Sequence, residues 1–87
     1  MAKFLDIDEV FVAEGDLRSV ATEDGEAFYP DLQVVAIVDD EYFAHPKIYP
    51  GGVGALADAE DFAEAIDDRA EINASIWVRV DEFGRRA

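Results

Sequence analysis

DAEDFAEAIDDRAEI, residues 58–72, is the stretch whose period decides the fold. At 100° per residue, Ala59, Phe62, Ala63, Ile66 and Ala70 fall within one arc of about 100°. Most of the rest of the circumference is charged. The pattern predicts one amphipathic helix over residues 59–72. Asp58 is the expected N-cap, because its carboxylate can accept a free first-turn amide. Glu60 and Asp61 suit the positive end of the helix dipole. Asn73 is the expected stop.

Upstream, residues 32–38 read LQVVAIV. An almost wholly apolar, β-branched run of this length predicts an inner strand covered on both faces. Shorter β-prone runs precede it at 8–13, 17–22 and 26–29. The dipeptides Gly15-Asp16 and Asp24-Gly25 read as turns between them, and Pro30-Asp31 as a break. Asp39-Asp40 reads as a hairpin turn into a return strand over 41–44, limited by Pro46. The Pro50–Gly54 segment, rich in glycine, reads as a hinge between sheet and helix. Downstream, residues 75–81 alternate: Ile76, Val78 and Val80 on one face, Ser75, Trp77, Arg79 and Asp81 on the other. Strands, then a helix, then a strand predict an α+β fold, an antiparallel-rich sheet with one helix on one face. Residues 1–87 read as a single acidic globular domain.

Composition narrows the function. Asp and Glu number 21 against 7 Lys and Arg, for a formal net charge of −14. Such a field opposes direct binding to nucleic acid or an anionic membrane and favours basic protein partners. Cysteine is absent, which removes disulfide and thiol chemistry and fits a cytoplasmic setting. No apolar run approaches the roughly 20 residues of a membrane span. The N-terminal residues do not read as a signal peptide, because Asp6, Asp8 and Glu9 follow Lys3 at once.

Catalytic chemistry finds little to stand on. His45 is the single histidine, and it is expected near a turn and partly exposed. A general base needs an oriented partner, and only Ser19, Thr22, Ser75 and the tyrosines offer hydroxyls. Asp6, Asp8 and Glu9, and separately Asp39, Asp40 and Glu41, supply clustered carboxylates without the spacing of a calcium loop. The Gly51–Gly54 segment lacks the Lys-Ser/Thr pair of a phosphate loop, and the acids that follow it would repel phosphate. The chain therefore reads as non-enzymatic, with no metal and no cofactor.

One constellation stands apart. Asp58, Glu60, Asp61, Glu64, Asp67, Asp68 and Glu71 lie within the half-turn opposite the apolar arc. At 1.5 Å per residue they place a carboxylate every ~3 Å along the helix. A DNA strand carries a phosphate every ~3.4 Å. Like charges three or four apart oppose helix stability by about 0.2–0.5 kcal/mol per pair, so a face selected for stability alone would mix signs. These seven residues form the expected partner-binding face, with Asp39, Asp40 and Glu41 as a second patch. In this character the chain resembles the small acidic proteins, often phage-encoded, that imitate nucleic acid (DNA mimics). The resemblance implies an inhibitor of a basic nucleic-acid-binding protein, in an anti-restriction, anti-CRISPR or other regulatory role. The alternative is an acidic accessory or structural domain whose charge serves solubility, as in a halophilic cytoplasm.

Overall fold

In the computed structural model, which describes residues 3–81, seven elements follow one another. They are β1 (Phe4–Asp6), β2 (Glu9–Thr22), β3 (Gly25–Val38), β4 (Glu41–Tyr49), α1 (Ala55–Arg69), β5 (Glu71–Asn73) and β6 (Val78–Val80). The fold is α+β. One antiparallel sheet has the order β2-β3-β4-β6, a second pairs β1 with β5, and α1 packs on one face of the larger sheet.

The run at 32–38 occupies the place its composition predicts. Leu32, Val34, Ala36 and Val38 point to the helix and are buried with Phe43, Tyr49, Ala59, Ala63 and Ile66. Val35 points the other way and is buried with Ala44 and Val80, beside Phe11 and Tyr42. The last two rings meet edge to face at 6.3 Å, a favoured aromatic geometry. On the helix the most deeply buried positions include Ala59 and Ala63, whose small side chains let the helix backbone approach the sheet closely.

The expected break at Pro30-Asp31 and the expected turn at Gly15-Asp16 are both corrected. β2 and β3 are continuous strands of 14 residues each. Their register shifts between Glu14 and Leu17, where Gly15 and Asp16 together oppose Asp31. Two residues against one is a β-bulge, which bends a strand without ending it. Asp31 holds the irregularity. Its carboxylate accepts from Arg18 Nε at 3.0 Å and Nη2 at 3.3 Å, and from the Gly51 amide at 2.7 Å. Those bonds lower the Asp31 pKa, with the Arg18 hydrogen bond the larger cause. The turn at the tip falls on Glu23-Asp24, one residue before the expected Asp24-Gly25, and Gly25 takes φ 126°. Beyond the bulge the hairpin forms an arm that supplies no buried core residue.

Pro46 likewise does not end its strand. Between Gln33 and Val35 the register with β4 slips, leaving His45, Pro46 and Lys47 opposite Val34. A bulge tolerates a residue with no N–H to donate. The Gln33 side chain donates to the His45 carbonyl at 2.9 Å, satisfying an acceptor inside the slip. The Asp39-Asp40 turn is as expected. Both residues have positive φ, 49° and 66°, as a two-residue hairpin loop with primed-turn geometry requires.

Both helix boundaries shift. The helix starts at Ala55 after Gly54 at φ 87°, so Asp58 lies in the first turn and is not the N-cap. Ala55, Leu56 and Ala57 are strong helix formers and extend it backwards. It ends at Arg69 because Ala70 turns left-handed at φ 60° and donates back to Ile66 and Asp67. Glu71, Ile72 and Asn73 then pair with Asp6, Leu5 and Phe4. Alternation in the last strand holds in part. Val78 and Val80 do share a face, but Ile76 is exposed in the preceding turn while Trp77 is buried against the helix side.

Gly51 is less a hinge than an anchor. It is buried, and a Cβ added there would collide with the Tyr29 carbonyl, lying 2.8 Å from its carbon. Moving the backbone would also strain the Gly51–Asp31 bond. Gly51→Ala is expected to destabilise by about 1–2 kcal/mol, and Gly52→Ala, whose added Cβ meets nothing closer than 4.0 Å, by much less. Paired urea melts check the contrast.

Candidate protein-binding face

Helix α1 exposes Asp58, Glu60, Asp61, Glu64, Asp67 and Asp68, all six helical carboxylates predicted to face a partner. The seventh, Glu71, is exposed but belongs to β5 and is not on the helix. Its place on the helix face is corrected, because the left-handed Ala70 turns the chain away first. The expected second patch divides. Asp39 and Asp40 sit exposed in the turn. Glu41 is tied to Arg79 Nη2 at 2.7 Å and so is already engaged.

Two residues that sequence reasoning left out of this face connect the patches. Asp8 and Glu9 line an open groove of about 390 Å³ with Glu64 and Asp67. Asp8 also accepts the Asp39 amide at 3.0 Å. Glu64 and Asp67 of the helix, Asp8 and Glu9 at the start of β2, and the β3–β4 turn therefore form one connected strip. Asp8 and Glu9 were visible in the sequence as a carboxylate pair, but nothing local reveals that β2 begins beside the middle of α1.

The strip is little neutralised. Of the ten residues predicted to bind a partner, only Glu41 makes an ion pair among the described residues. Side chains this exposed keep most of their hydration, so holding like charges together costs only tenths of a kcal/mol per pair. Among the described residues no group of three or more His, Asp or Glu side chains is arranged to hold a metal ion. No helix there is long and apolar enough to cross a membrane.

His45 is partly exposed as expected, but it lies within β4 and not near a turn. It is half-buried in the β4 bulge, its ring 4.7 Å from Phe62 and 5.1 Å from Trp77. Its Nδ1 accepts the Lys47 amide at 3.2 Å. Burial first, and the Lys47 charge second, lower its pKa. The folded state thus prefers the neutral ring. The associated stability is complete above the ordinary histidine pKa of about 6.5 and is lost as pH falls through the lower folded value. Urea melts at pH 7.5 and 5.5 are expected to give the parent a larger drop in stability than His45→Gln, which removes only the imidazole. Equal drops would show that His45 stays uncoupled from folding.

Comparison of the chain with protein-family models, with curated proteins and with solved structures found no match.

Proposed function

We propose that the protein is a non-enzymatic, cytoplasmic binding protein whose carboxylates stand in for phosphates against the basic groove of a nucleic-acid-binding protein. The observation that carries this reading is the strip just described. Asp8, Glu9, Glu64 and Asp67 meet across one groove, and Asp8 bonds onward to the Asp39-Asp40 turn. A surface built from three separate elements with one sign of charge steers a cationic partner from a distance. The six exposed acids of the helix keep a spacing of about 3 Å along the axis, close to the phosphate spacing of a DNA strand.

The test is capture followed by two elutions. The immobilised protein is loaded with a cell extract at low salt, then washed either with duplex DNA or with sodium chloride of equal ionic strength. Mimicry predicts that DNA displaces the captured protein at an ionic strength where chloride does not. Equal displacement by both washes would reject phosphate mimicry. An acidic domain whose charge serves solubility predicts something different: unfolding at low salt, with no specific capture.

A further inference from the structure

Where the C-terminal half of α1 meets the sheet, three rings from distant parts of the chain come together. Phe62 lies on the helix, His45 in the β4 bulge, and Trp77 just before β6. Centroid separations are 4.7 Å for His45–Phe62, 5.1 Å for His45–Trp77 and 6.4 Å for Phe62–Trp77. His45 packs against both of the other rings. They and Phe4 line a cavity of about 210 Å³, with Glu71 and Arg69 also in its wall.

An aromatic wall attracts a cation to the negative faces of its rings, within about 6 Å of the centroids. Other features of the site agree with a cationic occupant. Glu71 makes no ion pair among the described residues, and the net charge of −14 draws cations toward the surface. Among the described residues the cation–π contact is Lys47 over Tyr49, away from these three rings. His45 is held toward its neutral form by burial and so adds little positive charge. An anion would meet the same field with the opposite sign.

We infer that this pocket receives the ammonium end of a lysine-type side chain of the basic partner, its N-methylated form more tightly. Methylation spreads the charge over a larger, less hydrated group that suits an aromatic wall. The inference rests on the proposed binding of a basic protein, and names one anchor in that contact. Arg69 works against the occupant and Glu71 works for it, so the two rim residues have opposite signs of effect.

The probe is Nα-acetyl-trimethyllysine amide, compared with its unmethylated form and with a neutral analogue carrying a quaternary carbon in place of the nitrogen. Trp77, the sole tryptophan of the chain, reports through its fluorescence and its indole N–H resonance. Work at about 0.5 M salt shortens the Debye length to a few Å and suppresses the general field. Expected is a saturable Trp77 response at millimolar probe, with the neutral analogue at least about fivefold weaker. Glu71→Gln is expected to weaken binding, and Arg69→Gln to strengthen it, each about two- to threefold. Both residues are exposed, so neither variant threatens the fold. Phe62→Leu keeps apolar bulk and is expected to abolish the response. No saturation by about 50 mM, or equal binding of the neutral analogue, would overturn the assignment. Replacing Glu64, Asp67 and Asp68 by amides should leave probe binding at this salt unchanged. Pocket failure and failure of the acidic strip are thereby read separately.

Discussion

Ile66→Ala is expected to destabilise the protein by about 2–5 kcal/mol. Ile66 is 7% exposed and packs among Ala63, Ile72 and the helix-side residues of β3. Truncation removes the transfer energy of three carbons and leaves a void that rigid neighbours cannot close. The backbone of β3 is fixed by pairing on both sides, and the other buried residues of the same helix, Ala59 and Ala63, are alanines with nothing to extend into the gap. The upper part of the range is therefore the more apt. Leu56→Ala makes the control. Leu56 lies on the same helix but is 55% exposed, so its loss should stay within about 0.5 kcal/mol. Phe62→Ala falls between them, since its ring is half-buried yet holds His45 and Trp77 together. Urea denaturation followed by Trp77 fluorescence measures all three. A loss below about 0.5 kcal/mol at Ile66 would mean that the helix presents a different face to the sheet.

That face was legible because a 3.6-residue period is a local property. Ala59, Ala63 and Ile66 repeat at the spacing one packed stripe needs, and Ala70 alone of the predicted arc turned out exposed. The apolar run at 32–38 was legible for a similar reason, since few other environments accept five consecutive apolar residues. What failed depended on partners far away in sequence. Pro30-Asp31 looks like a break until Arg18 and Gly51 are seen holding the Asp31 carboxylate in an extended bulge. The helix end depends on Leu5 pairing with Ile72, a contact between chain segments 67 residues apart. Nothing in the residues around Ile72 announces it. Ala70 is the least predictable of all, since a left-handed cap normally takes glycine or asparagine.

The candidate face divides along the same line. The helical acids were readable from period and charge alone. Their junction with Asp8 and Glu9 was not, because it follows from where β2 lies under α1. The aromatic cluster was missed for the same reason. His45, Phe62 and Trp77 come from a strand, a helix and a turn, and the separate expectations for His45 and Trp77 never brought them into contact.

Amide substitution of four acids, Glu9→Gln, Glu64→Gln, Asp67→Asn and Asp68→Asn, is expected to move stability and binding in opposite directions. Size and polarity are kept, and four negative charges are removed from a net −14. On the helix the repulsions Glu60–Glu64, Asp61–Glu64, Glu64–Asp67 and Glu64–Asp68 disappear, each worth about 0.2–0.5 kcal/mol. Asp67 and Asp68 also sit in the last turn, where a negative charge opposes the helix dipole. At low ionic strength the variant should gain about 1 kcal/mol, and the gain should shrink as salt screens the parent's repulsion. Against a basic partner the signs reverse. Four exposed ion contacts at up to about 0.7 kcal/mol each amount to roughly a hundredfold in affinity. Much of that loss should appear in the association rate, because steering weakens with the field. The dependence of affinity on salt should flatten as well, since fewer counterions are exchanged. Charge carried for solubility predicts the stability gain with no loss of partner binding. If the variant binds its captured partner as tightly as the parent at ~0.15 M salt, where the Debye length is about 8 Å, the acidic strip is not the contact surface.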